Sequence, residues 1–255
     1  MPCRPQTLPI RTTGQITPVV LRADLPRDRA ATYWAEDHAA LCHATLPHVV
    51  EYNQLHFSQD DRSYWPATGM VGTLAPDRYD GIAELRYPSL IGGLRNLPHT
   101  RPVYYDEQNP FETVIGYQTG SGGGRWWTHG LDDTIGHRTV VLLRQRKGTR
   151  SRAFRAFIHD RLAPTLHEAG ARDLRSYTFM RYVAALWSTP GVDHDSPHHR
   201  RHHAALVIGA DSREHLDEVL HANAVKAAIA DQEQFVTGAH AYAVERTVPG
   251  IRVPA

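Results

Sequence analysis

The sequence predicts an α+β protein in which one β-α-β-β-α-β pattern is written twice. Three observations carry that reading. β-rich runs and amphipathic stretches alternate in the same order in both parts of the chain. Each part sets four strand-like runs against two helical ones, the makings of an antiparallel sheet with helices on one face. A glycine-rich segment, Gly120 to Gly124, falls between the parts.

In the first part, Ile16 to Ala23 is β-rich, and Pro26 suits the first turn of a helix, where its missing N–H is not needed. Ala30, Trp34, Leu41 and Cys42 recur at helical spacing up to about Thr45. Pro47 ends that helix, and Val49 to Phe57 reads as a strand. Ser58 to Asp80 is a loop by its turn formers Pro66, Gly69, Gly72 and Pro76. Gly81 to Tyr87 is a third strand, Ser89 to Glu107 is helical in two pieces broken at Pro98, and Thr113 to Thr119 is a fourth strand.

The second part repeats the order. Arg138 to Arg146 is a strand, and Thr149 to Ala169 is a helix with Phe154, Phe157, Ile158, Leu162 and Leu166 on one face. Asp173 to Val183 is the next strand, Trp187 to Arg201 a polar loop, and Ala204 to Gly209 the third strand. Asp211 to Ala230 is helical, capped by Asp211 or Ser212 with Glu214 in its first turn. Gln234 to Val248 is the last strand.

Two such units are two ferredoxin-like folds, residues 14–120 and 137–250, with 121–136 as the linker. Each sheet has one face without helices, and the economical cover for it is the other sheet. The expectation is a monomeric pseudo-dimer, or a homodimer of such chains, closed into one α+β barrel.

Composition narrows the function. With 28 basic and 27 acidic residues and no Lys/Arg run, there is no footprint for nucleic acid or an anionic membrane. Apolar runs are strand-length, such as Val140 to Leu143, and the N-terminus has no apolar signal core. Cys3 and Cys42 do not form a metal-type spacing or a disulfide framework, so a cytoplasmic protein with reduced thiols is expected.

The stretch Trp34-Ala35-Glu36-Asp37-His38-Ala39-Ala40-Leu41 resembles the EthD family of dimeric α+β barrel proteins, with a Trp, a His four residues on and a Leu three beyond that. Val49 to His56, with Tyr52 and the terminal His56, resembles that family's second strand. Tyr79 to Leu85 and Asp106-Glu107 are similar to its third strand and the end of its second helix. The resemblance spans residues 16–119; in the second part Phe157 stands where Trp34 is and Arg161 where His38 is. It implies facing sheets with a cavity between sheet and helices. The broader superfamily includes cofactor-free cyclases, dehydratases, decarboxylases, lactone isomerases and oxygenases, and some members bind heme.

His38 is the first catalytic candidate, because it shares the buried stripe of Trp34, Leu41, Cys42 and Thr45. A partly buried imidazole that stays neutral near pH 7 can take and return a proton. Asp37 lies about 100° round the helix and is poorly placed to orient it. Tyr52, Gln54 and His56 alternate on one strand face and suit an enolate or phenol oxygen, with Tyr52 and His56 as catalytic candidates. Trp34, Leu41, His43, Gln54, Glu84, Arg86 and Tyr105 are candidates to line the substrate site. Against these stand plainer readings: a structural His38, cross-strand pairing of Glu84 and Arg86, and helix-end roles for His43 and His48.

The run His194 to His203 carries imidazoles, but its two arginines oppose a cation, and no metal site is expected. Gly120 to Gly124 lacks the Gly-Lys-Ser/Thr ending of a phosphate loop. Trp126 and Trp127 are expected to cover the barrel junction, and His159 and Asp160 to lie at the surface. The function expected is a lyase or isomerase without cofactor, of the cyclase, dehydratase or decarboxylase type, acting on a hydrophobic aromatic or polyketide-like molecule. The alternatives are an oxygenase of the same barrel, cofactor-free or with heme on His38, and a non-catalytic binding module.

Overall fold

The polypeptide closes a barrel out of strands that are hydrophobic on two faces. The structure, a computed structural model, describes residues 8–61, 63–66, 72–73, 79–187 and 189–252; Cys3, Gly69 and Pro76 lie outside the described residues. Its strands are β1 (Ile10–Leu21), β2 (Glu51–Phe57), β3 (Gly72–Thr73), β4 (Gly81–Tyr87), β5 (Phe111–Val114) and β6 (Tyr117–Trp126). They continue with β7 (His137–Gln145), β8 (Arg172–Phe179), β9 (Ala204–Ala210) and β10 (Val236–Arg252). Hydrogen-bonded neighbours run β2-β4-β1-β6-β8-β9-β7-β10, and β10 returns to β2, so eight antiparallel strands form a closed circuit without a free edge. Residues 10–126 supply the first four strands of the circuit, and residues 137–252 the last four.

Period-two alternation sorts each strand into two cores. On β2, Leu55 and Phe57 point into the barrel beside Ile16, Ile82, Trp126, Val140, Leu142 and Val207. On the outer face, the helical stretch 27–45 and the pieces between 90 and 107 bury Trp34, Cys42, Val103 and Phe111 against Val19, Tyr52 and Leu85. The stretches 151–168 and 213–230 do the same for the other sheet, with Phe157, Leu162, Leu220 and Ile229 over Val141, Leu143 and Leu206. Each such side chain contributes about 1.5–3 kcal/mol of burial. The first helix of each part contains a π turn, Trp34–His38 and Phe157–Leu162. Such turns concentrate at functional sites.

Several expectations are corrected. The glycines placed in a linker belong to β6, where the pairing with both β1 and β8 shifts register between Gln118 and Gly124, as at a bulge. A Cβ on Gly124 would sit 2.7 Å from Thr12 Cγ2, so close strand approach is what the glycine serves there. The single strand expected at Thr113 to Thr119 is two, β5 and β6, which pair in turn with β1. Pro18 lies at that changeover, where its missing N–H costs least. The helical stretch 211–230 breaks at Ala222, and Ser212 caps it by accepting from His215 N–H at 3.2 Å. His159 is buried, its ring bonded to Ser176 and Thr178 at 2.8 and 3.0 Å, while Asp160 is exposed as expected. Trp126 is inside the barrel, with the Arg175 guanidinium 4.3 Å over its ring.

The long β2–β4 and β8–β9 connections cross the circuit, each to cover the other part's helix layer. From the first, Trp65 is buried in the second helix core, where its Nε1 donates to Gln232 at 3.0 Å. From the second, Trp187 packs over Gly116 and Tyr104 in the first part. The interval from Phe57 to Trp65 is the interval from Phe179 to Trp187, so the two tryptophans stand at matching positions.

A chain of buried charges crosses the barrel interior. Arg86 meets Glu51 at 3.1 Å; Asn53 bridges Glu51 and Glu84 at 3.0 and 3.1 Å. Glu84 binds Arg175 and accepts from Tyr177 Oη at 2.7 Å, and Asp173 holds both Arg175 and Arg138. Burial opposes the Arg175 charge, but Glu84 and Asp173 outweigh it and hold its pKa above the ordinary value. Glu84→Ala removes one arm of this clamp and leaves the guanidinium short of an anion. A loss of about 3–5 kcal/mol is expected, read as a lower urea midpoint at unchanged slope. A loss below ~1 kcal/mol, the range of an exposed pair, would show that the network is not a structural tie.

Candidate active site

One face of the first helix builds one wall of an enclosed space. Trp34, His38 and Cys42 follow at four-residue steps and, with Leu46, face the outward side chains Thr13, Gln15, Thr17 and Val19 of β1. Tyr52 and the row Ala83, Leu85 and Tyr87 complete the floor; residues between Leu90 and Glu107, with Phe111 and Val114, form the far wall. Met180 and Trp187 of the crossing connection close it. The cavity holds about 220 Å³ and its walls are mostly apolar.

Polar groups converge in it. His38 is buried, and its Nδ1 lies 2.7 Å from Asp106 Oδ2, while Phe111 meets the imidazole edge-on. The other Asp106 oxygen accepts from Tyr33 Oη at 2.6 Å and Asn109 Nδ2 at 2.8 Å. Burial works to raise Asp106, but these three donors outweigh it and keep the carboxylate below its usual range. For His38, burial opposes the charge, while the Cys42 sulfur, within hydrogen-bonding reach, and Asp106 favour it more strongly. Its pKa is pushed up to about 10. The geometry thus favours the protonated imidazole, where the sequence reading expects a neutral base.

Glu107, next to Asp106 but on the cavity side, is also buried. Desolvation pushes it up to about 7, against the Thr189 hydroxyl, which donates to Oε2 at 2.9 Å, and the favourable field of His38. A cation and a carboxyl poised near neutrality thus share one dry space, an arrangement that separates acid and base roles. Burial also holds Tyr52 well above its ordinary value, so it stays a hydroxyl. Gln15 ties the floor together, accepting from Tyr87 Oη at 3.1 Å and from Gln118 and donating to Thr17 at 2.7 Å.

Of the residues expected at the site, Trp34, His38 and Tyr52 line the cavity. Gln54 does not: its amide donates to the Trp34 carbonyl at 2.7 Å and to Tyr52 Oη at 2.9 Å, so it braces the wall from behind. His56 lies behind Trp34, rings 4.1 Å apart, with Nε2 at 3.0 Å from Gln54 Oε1. Burial, with Arg246 and Arg27, pushes it down to about 3, and it remains a neutral strut. Leu41 is half-buried outside the lining, and His43 and Tyr105 are exposed. Glu84 and Arg86 face the barrel interior, on the opposite side of β4 from the cavity, where ion pairs occupy them. In the sequence, Asp106 and Glu107 stand out only through the family resemblance. One signal was available: adjacent carboxylates in the last turn of a helix oppose its dipole, so another interaction must hold them.

In the His-rich run, His194 is fixed by the Val114 carbonyl at 2.7 Å and the Thr189 N–H at 3.2 Å. Among the described residues, no three His, Cys, Asp or Glu side chains gather as metal ligands. A heme on His38 does not fit: about 220 Å³ is below the ~300–1,000 Å³ that drug-sized ligands already occupy.

No protein-family profile matches the chain, and no curated protein matches it. Solved structures do. A proposed monooxygenase from Fusobacterium nucleatum subsp. nucleatum aligns at TM-score 0.59 and 8% identity, covering 97% of each chain. A proposed monooxygenase from Lactobacillus acidophilus aligns at TM-score 0.55 and 9% identity, covering 96% of this chain and 98% of the other. With such low identity, these likenesses show a shared fold: a closed eight-stranded antiparallel barrel with helices outside it.

The dyad can be tested alone. Asp106→Asn is expected to lower the His38 pKa by roughly 1–3 pH units, followed by NMR titration of its Cε1 proton. An unchanged titration would show that Asp106 does not set the charge.

Proposed function

We propose that this chain is an enzyme that removes a proton from a small apolar molecule in the cavity and lets molecular oxygen react with the resulting anion. Glu107, near neutrality, takes the proton from an acidic C–H flanked by carbonyl or aryl groups. The His38 imidazolium, oriented by Asp106, stabilises the enolate or phenolate oxygen, and the Tyr52 hydroxyl is a second donor. Oxygen adds to the carbanion and the adduct expels water. A CH₂ thus becomes C=O: one oxygen atom stays, the other leaves as water, and the electrons come from the C–H bonds. No resident cofactor is required.

The observation that carries this reading is geometric: buried His38, held by Asp106, and buried Glu107 line one mostly apolar cavity. The two monooxygenase-type neighbours favour oxygen as co-substrate by analogy of fold. Without oxygen, the same proton transfer supports cyclisation, dehydration or decarboxylation, so lyase or isomerase chemistry is the second reading. The finer structural reading is also a proposal: two ferredoxin-like halves in tandem, related to the EthD family through the Trp34–His38 motif. It is supported by the matching strand orders β2-β4-β1-β6 and β8-β9-β7-β10 and by the exchanged tryptophans. In this reading a single chain forms the barrel. No helix among the described residues is long and apolar enough to cross a membrane.

The test is an oxygen electrode with anthrone-type substrates and no added cofactor. Oxygen uptake is expected, and Glu107→Gln is expected to lower kcat by about 10²–10⁴. Activity should rise with pH through about 7, as Glu107 loses its proton, and fall towards about 10, as His38 loses its own. Equal turnover under nitrogen would shift the assignment to a lyase or isomerase. Equal turnover by Glu107→Gln would remove Glu107 as the base.

A further inference from the structure

The cavity is lopsided along its depth. His38 and Glu107, both 5% exposed, lie where it is driest, whereas Leu94 and Leu97, each 55% exposed, and Met180 at 41% bound the same space. Those three side chains therefore form its mouth, not its floor. Leu90 and Leu94 lie on one short helix and Leu97 opens the 3₁₀ turn that follows it, while Ile91, 65% exposed, extends the apolar surface outward. Met180 faces them from the connection that crosses over from the other part of the chain. Large apolar side chains left in water around an opening mark a surface that something apolar covers. Because this surface is continuous with the cavity, a molecule already seated in the cavity is the occupant that reaches it without a second binding event.

We infer that the substrate is an amphiphile. Its compact phenol, enol or β-dicarbonyl head enters first to reach His38 and Glu107, and its apolar chain or extended ring system leaves through the mouth onto Leu94, Leu97, Ile91 and Met180. This rests on the site assigned above and sharpens it. The cavity of about 220 Å³ is bounded at its open end by this collar, so any part of a substrate that leads away from His38 and Glu107 towards solvent passes over it. A polar remainder would gain nothing there, since Leu94, Leu97 and Met180 offer it no hydrogen bonds.

The experiment measures binding, not turnover. Dissociation constants for para-alkylphenols from ethyl to octyl are read by quenching of tryptophan fluorescence, Trp34 and Trp187 being in the cavity wall. Affinity is expected to tighten roughly two- to fourfold per methylene. In Leu94→Gln/Leu97→Gln the gain per methylene is expected to fall towards onefold. Affinity independent of chain length in the native protein overturns the inference. So does a double variant that weakens every member by one common factor with the gain per methylene intact. If the gain is present and no oxygen is consumed with any substrate, the collar stands and the oxygenase chemistry falls, so the two failures are told apart.

Discussion

Arg175 is fully buried inside the barrel, and its guanidinium is neutralised from both parts of the chain. Glu84 reaches it from β4 and Asp173 from its own strand, β8. An ion pair inside protein contributes little net stability when complete, but an incomplete one is costly. The consequence is specificity of closure. Sheets that docked out of register would strand a guanidinium or a carboxylate in a dry interior, so the network favours one mutual placement of the two sheets. The rest of the molecule follows from that placement, because the crossing connections that carry Trp65 and Trp187 start from strands whose positions it sets.

Those connections explain why two similar parts differ in what they hold. Trp65 inserts fully into the second helix layer, where Gln232 fixes its indole nitrogen, and contributes to the packing of that core. Trp187 reaches the first layer at its edge, over Gly116, and there it bounds a cavity. Within the second π turn, His159 is bound at both nitrogens by Ser176 and Thr178 and is held neutral by burial. At the end of the first, His38 has a carboxylate partner and a cavity in front of it. The same scaffold thus carries a tied-off histidine on one side and one that faces a cavity on the other.

Much of the candidate site was legible. Trp34, His38 and Tyr52 stood out because helix and strand periods place them on outward faces that helices cover. His56 and Gln54 shared the Tyr52 face but lie further along β2, where Trp34 lies over His56; a period-two pattern specifies the side of a strand and says nothing about what covers each point along it. Glu84 and Arg86 failed as site residues for a related reason. Cross-strand pairing accounts for Arg86, which meets Glu51 opposite it on β2, while the partner of Glu84, Arg175, comes from the other sheet and is visible only once the sheets meet. The partners of His38 were missed because Asp106 lies 68 residues away on another helix.

The sequence by itself determined the order in which most strand-like and helical runs alternate and which of their faces are apolar. These depend on local periodicity, caps and turn residues, all of which act over a few positions. Tertiary structure alone decided that the glycine run is part of a barrel strand, that His38 meets Asp106 over a cavity that Glu107 also lines, and that a loop from the other part closes the cavity. Each of these arises from groups far apart in the chain meeting in a space where burial makes every charge and every unpaired polar atom expensive, and no local pattern encodes that meeting.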